Sequence, residues 1–215
     1  MITSHNIKIS KTARYFLLGE LNKKTKSVWF VLHGYGQSAQ EFLGYFKKAQ
    51  LKDQCIIAPE GLSRFYEKGA YGDVGASWMT KEDRLNEIDD YVNYLDCLCE
   101  KTITHSPKAS INVLGFSQGV ATASRWVTRG KVKPNKLVLW AGSIPPELNW
   151  GTLKQNVPAK QTHFVYGLHD PFIRPEHIEQ FKQLIEEKEY PLNIHSFYGN
   201  HQLNTNTFNI ISQIK

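Results

Sequence analysis

Cysteine is scarce: Cys55, Cys97 and Cys99 are the only three in 215 residues. So small and odd a set makes no disulfide framework. Cys97 and Cys99 lie two apart in a helical pattern and point to different faces, and a C-x-C with no second pair is a poor zinc site, so no metal is expected. Long apolar runs are missing as well. No stretch approaches the roughly 18 consecutive apolar residues that span a bilayer, which excludes stable membrane insertion through a helix. Met1-Ile2-Thr3-Ser4-His5-Asn6 has no basic start leading into an apolar core, so no secretory signal is expected and the chain reads as cytoplasmic. Repeats and low-complexity segments are absent. A long basic run is absent too, although the net charge is +6 and the pI about 9.1. The lysines (Lys23, Lys24, Lys26, Lys47, Lys48, Lys131, Lys133, Lys136) are scattered along the chain, which reads as solvated surface; no nucleic-acid partner is expected.

What is present is an ordinary globular composition, 41% hydrophobic and 21% charged. It suits a single domain over residues 1–215 with a full-sized core. Val28-Trp29-Phe30-Val31-Leu32, Cys55-Ile56-Ile57-Ala58, Ser110–Leu114, Leu137-Val138-Leu139-Trp140, His163–Tyr166 and Asn193–Phe197 read as strands, several of them continuously apolar as strands covered on both faces must be. Between them run helical patterns. One starts at Ser38, with Glu41 at capping-box spacing, and runs to about Ala49. Others run from Leu85 to about His105, from Val120 to Arg129-Gly130, from Pro175 to about Glu189, and from Gly199-Asn200-His201 through Ile211. His5–Ser10 and Ala13–Leu18 alternate and read as an antiparallel edge pair. The expectation is an α/β fold: a mostly parallel sheet with antiparallel N-terminal edge strands and helices on both faces. Pro59 to Thr80 reads as a long connection whose aromatics, Phe65, Tyr71 and Trp78 among them, form a pocket wall and so are candidate substrate-binding residues.

The chemistry concentrates at Gly115-Phe116-Ser117-Gln118-Gly119. A strand-forming run meets a helix-forming run there, so Ser117 sits on a sharp strand-to-helix turn that pushes its Oγ out of the sheet, above a helix N-terminus. Glycines flank it because a Cβ at either place would strike the neighbouring strand or helix. In a parallel sheet the loops leaving the strands share one edge, where ligands bind. That edge collects His33-Gly34-Tyr35-Gly36, Ser117, Asp170 and His201, each just past an expected strand. Serine is a weak nucleophile at neutral pH and needs a base. A histidine, with a reference pKa of about 6.5, suits that task; His201 is the candidate base, and Asp170 would fix its tautomer. The backbone N–H groups of Gln118 and Tyr35 are the expected oxyanion donors. His169 is adjacent to Asp170 and poorly placed to face it; His33 is expected to shape the loop rather than react.

These residues, together with Ala58-Pro59, Ser77-Trp78, Gly167-x-x-Asp170-Pro171 and Gly199-Asn200-His201, resemble the α/β-hydrolase superfamily. Within it they resemble the small carboxylesterase, phospholipase and acyl-protein-thioesterase group, from about residue 28 onward. The resemblance implies the α/β-hydrolase fold, and 215 residues leave no room for a separate lid domain. The resemblance also implies hydrolysis of small acyl esters or thioesters through an acyl-enzyme, with no cofactor. That group commonly carries an acidic residue soon after the Trp of the Ser77-Trp78 match, where this chain has Met79-Thr80. Two competing readings are a lysophospholipase-type lipid hydrolase and a binding protein that kept the fold but lost the chemistry. The intact Ser117, Asp170 and His201 set argues against the latter.

Overall fold

The computed structural model describes residues 1–49 and 52–214. Its frame is a seven-stranded sheet in the order β1-β3-β2-β6-β7-β8-β9. The strands are β1 (Tyr15–Gly19), β2 (Ser27–Leu32), β3 (Gln54–Pro59), β6 (Ser110–Phe116), β7 (Lys136–Trp140), β8 (Thr162–Gly167) and β9 (Asn193–Phe197), with β4 (Ser63–Lys68) and β5 (Tyr71–Ser77) forming a separate two-stranded sheet. Strands β2, β3, β6, β7, β8 and β9 run parallel. Strand β1 closes the edge antiparallel to β3, with Tyr15 opposite Pro59 and Gly19 opposite Cys55.

Side chains alternate across the pleat, so each strand feeds two cores. Val28, Phe30 and Leu32 face one side, where α2 (Arg84–His105), α3 (Gln118–Arg129), α4 (Trp150–Asn156) and α5 (Pro175–Glu187) supply Tyr91, Trp126, Leu153 and Ile178. Trp29 and Val31 face the other, against Phe42 of α1 (Ala39–Gly44) and Phe208 of α6 (Thr205–Gln213). Both faces of β2 and β7 are therefore covered, which is why those segments read as unbroken apolar runs.

Most expected helix and strand positions hold; the last helix begins at Thr205, capped by Asn204, and not at Gly199-Asn200-His201, and other differences have physical causes. His5–Ser10 carries no strand, and the antiparallel partner of β1 is β3 instead. Ile7 and Ile9 remain 86% and 80% exposed, so their alternation buys no burial. The segment is held farther along, where the Arg14 guanidinium donates to the buried Glu60 carboxylate at 2.5 and 3.0 Å. The first helix is shorter than its periodicity suggested and gives way to turns after Gly44. Its cap is as expected, Glu41 N–H donating to Ser38 Oγ at 3.2 Å. The connection from Pro59 is not an unpatterned loop: it holds the β4–β5 hairpin, with Phe65 opposite Gly75 and Ser63 opposite Ser77.

Candidate active site

Ser117 stands between β6 and α3 with φ 53° and ψ −115°, in the positive-φ region that a residue with a side chain seldom occupies. Packing enforces that strained backbone. The Ser117 N–H donates to Trp140 O at 2.9 Å, and Val120 N–H donates back to Ser117 O at 3.0 Å. A Cβ on Gly119 would strike the backbone of Leu32 and His33, and one on Gly115 would strike Gly119 itself. The flanking glycines are thus demanded by the closeness of strand, turn and helix, as expected for an elbow.

The loop after β2 closes over the serine. A Cβ on Gly34 would lie 3.1 Å from Ser117 Cβ and 3.3 Å from the Phe116 ring. His33 beneath it is fully buried. Gly61 N–H donates to its Nε2 at 2.9 Å, so the ring proton sits on Nδ1, which donates to Gly34 O at 2.7 Å. Burial pushes the His33 pKa down to about 4, against smaller raising effects from Gly34 O and Glu60. His33 is therefore a neutral structural strut that shapes the loop.

Trp78 and Gln118 bind this loop to the elbow. The Trp78 indole N–H donates to His33 O at 2.9 Å, and the ring stacks on His33 at 5.0 Å between centroids. The Trp78 backbone N–H donates to Gln118 Oε1 at 3.1 Å, while Gln118 Nε2 donates to Met79 O at 2.9 Å and to Ser77 Oγ at 3.1 Å. One residue thus touches both segments that carry Tyr35 and Gln118. Among the described residues, neither the Tyr35 nor the Gln118 backbone N–H donates to a protein acceptor. Both remain available to an outside oxygen, the Gln118 N–H as one of the unpaired first-turn donors of α3.

On the far side of the elbow, the loops after β8 and β9 are laced together. Leu168 N–H donates to Phe197 O at 2.9 Å and His169 N–H to Gly199 O at 3.0 Å. This brings His201 onto Asp170, with Nδ1 and Oδ2 2.7 Å apart. The Asp170 carboxylate is buried, and its other oxygen accepts from Phe172 N–H at 2.9 Å. The imidazole is flanked by Phe116 at 5.0 Å and by Phe172, edge-on, at 4.8 Å. Phe116 is the residue before the serine, so His201 sits beside the elbow. No hydrogen bond joins Ser117 to His201 among the described residues. Such bonds are commonly long in a substrate-free site. His169 packs its ring against Tyr198 at 4.7 Å and does not hold the carboxylate.

The expected pocket wall divides. Tyr71 is 69% exposed on the hairpin, and Phe65 packs its ring 5.3 Å from that of Tyr35 at the mouth of the site. Trp78 departs from the expectation: it is buried to 1% exposure and braces the loop from below, so it does not line an open cleft. Its indole N–H and large ring suited either place, and the deciding factor is the buried His33 carbonyl, which needs a donor. Composition gave no hint of the Gln118 side-chain clamp, because the elbow pattern concerns backbone shape and leaves that position's side chain open.

Among the described residues no three His, Cys, Asp or Glu side chains gather as metal ligands, and no helix is long and apolar enough to cross a membrane.

The mostly parallel sheet with its antiparallel edge strand, and a strained serine between strand and helix, make the α/β-hydrolase fold, which solved structures of similar shape share. The esterase PE8 superposes with a TM-score of 0.70 at 17% identity, covering 94% of this chain and 99% of that one. Acyl-protein thioesterase 2 of Zea mays gives 0.68 at 17% identity, over 94% and 97%. A phospholipase/carboxylesterase of Dyadobacter fermentans DSM 18053 gives 0.66 at 17% identity, over 97% and 100%. Curated proteins provide no match. The phospholipase/carboxylesterase family model matches residues 17–214, and the chain belongs to that family of hydrolases.

Proposed function

We propose that the protein hydrolyses small carboxylic esters or thioesters through a covalent acyl-Ser117 intermediate. The observation that carries this reading is the 2.7 Å contact between His201 Nδ1 and Asp170 Oδ2, formed beside a serine held in an elbow conformation. With Nδ1–H committed to the carboxylate, Nε2 is the free basic nitrogen of the ring. As Ser117 Oγ bonds to the carbonyl carbon, Nε2 takes its proton, and the carbonyl π electrons move onto oxygen. The Tyr35 and Gln118 N–H groups receive that oxyanion. Collapse expels the alcohol or thiol, which takes the proton from His201. Water, deprotonated by the same nitrogen, then releases the acid and restores the serine. Asp170 stabilises the imidazolium at each stage without itself taking the proton. Phe65 and Tyr35, whose rings pack 5.3 Å apart, offer an apolar surface to the acyl or alcohol portion, and Tyr71, exposed on the same hairpin, is a further candidate contact.

The test is turnover of p-nitrophenyl acetate and butyrate by wild type and Ser117→Ala, with fluorophosphonate labelling in parallel. Wild type is expected to exceed the variant by about 10³-fold or more in kcat/KM, and the label to fall on Ser117 alone. Equal, slow turnover by both proteins, or a label on another serine, overturns the reading.

A further inference from the structure

Lysines that look scattered along the chain are gathered by the topology. Each parallel strand is entered by a connecting segment at the sheet end opposite Ser117: residues 20–26, 47–49 with 52–53, 105–109, 130–135, 157–161 and 187–192, the last residues of α2 and α5 included. These six segments hold eleven lysines and no arginine, against four carboxylates. Their excess of seven positive charges is larger than the +6 of the whole chain. The loops leaving the same strands, including the β4–β5 hairpin, hold four basic residues against seven carboxylates. The molecule is therefore polarised along its strands, with a basic base and a mildly acidic catalytic rim.

All eleven basal lysines are exposed. Among the described residues only two of them are ion-paired, Lys26 with Asp53 at 2.7 Å and Lys131 with Glu100 at 2.9 Å. Their distribution says what they fit. A sheet end of seven strands is roughly 30 Å wide, and the charges spread across it instead of lining a groove. With no arginine there is no fork for bidentate phosphate or guanine contacts. The loops' only aromatic residue, Tyr190, is buried, so there is no platform for stacking bases. Compact, strongly hydrated ammonium groups spread over a flat face suit a diffuse anionic plane.

We propose that this basal end docks the protein peripherally on anionic phospholipid surfaces, with the catalytic rim turned away from the membrane. Docking of this kind is electrostatic, needs no inserted segment, and is independent of the reaction assigned to Ser117.

The test is flotation of the wild-type protein with vesicles of phosphatidylcholine alone and of phosphatidylcholine with about 30 mol % phosphatidylserine, at about 150 mM salt, where surface charges act over about 8 Å. Two fourfold variants carry the same change in charge: Lys23, Lys24, Lys133 and Lys160→Gln at the base, and Lys8, Lys68, Lys81 and Lys182→Gln elsewhere, all eight positions exposed. Circular dichroism establishes that both are folded. Wild type is expected to bind the anionic vesicles only and to be released at about 500 mM salt, where the Debye length falls towards 4 Å. The basal variant should lose at least about tenfold in apparent affinity and the control variant less than about twofold. The proposal is overturned if wild type ignores anionic vesicles, if both variants weaken equally, or if duplex DNA or RNA at equal phosphate concentration outcompetes the vesicles.

Discussion

Asp170 is the residue at which geometry and chemistry are hardest to separate. Its carboxylate is buried, one oxygen facing His201 and the other accepting from Phe172 N–H, so its position is fixed from two directions. Asp170→Asn keeps the shape but exchanges a charge for an amide that can present its own N–H to Nδ1, turning the imidazole to the wrong tautomer. In the proposed mechanism kcat should fall on the order of 10³–10⁴-fold, with KM little changed and fluorophosphonate labelling slowed in proportion. A fall below about tenfold would remove Asp170 from the mechanism. This residue was legible in the sequence only through its neighbours. Asp before Pro is an ordinary turn, and what singled it out was its place after an expected strand, between a serine elbow and a distant histidine. His33 shows the opposite case. Its burial and its two hydrogen bonds come from loop closure, which no local pattern encodes.

At the scale of elements, the sheet was readable because its strands announce themselves by continuous apolar runs, and because period-2 and period-3.6 patterns alternate from β2 to α6. The hairpin was not readable. Tyr71-Gly72-Asp73-Val74-Gly75 lacks a buried face over its first four residues, so no alternation marks it as a strand. What holds it is contact with the loop after β2. Gly36 N–H donates to Ala76 O at 3.0 Å, Ala76 N–H donates to Gln37 O at 3.2 Å, and Phe65 packs on Tyr35. The hairpin thus supports the segment that presents the Tyr35 N–H. A Cβ at Gly75 would collide with the Gly36 carbonyl group, with carbon atoms at 2.7 and 2.9 Å, all of it backbone that cannot swing aside. Gly75→Ala should therefore displace the loop, costing about 1–3 kcal/mol in stability. It should also lower kcat by about 10–10³-fold as the donor leaves its place. Thermal unfolding and ester kinetics measure the two effects. Wild-type kcat in a destabilised variant would show that the hairpin holds the fold but not the donor.

Across the whole molecule, two fully buried histidines lie at opposite ends of the sheet and act on stability in the same direction. His33 supports the catalytic loop. His163, near the start of β8, contacts His195 Nε2 through Nδ1 at 3.0 Å, while its own Nε2 is buried with no partner among the described residues. Burial lowers the pKa of each to about 4; for His163 the neighbouring His195 and Lys136 add to the effect. Both rings are neutral in the folded protein below the pH at which they would protonate in the unfolded chain, about 6.5. Between these values the unfolded state binds more protons, so their contribution is complete above about pH 6.5 and is lost as pH falls towards about 4. A gap of this size corresponds to at most about 3 kcal/mol for each histidine. Urea unfolding at about pH 7.5, 6 and 5 should therefore show stability falling steadily with acid, with nearly all the change below about pH 6.5. His163→Gln removes one of three histidines that burial holds below the ordinary value, His33 and His195 being the others, so it should clearly flatten that slope, whatever it does to stability at neutral pH. A slope unchanged in the variant would mean that the acid sensitivity arises elsewhere than in the basal histidine.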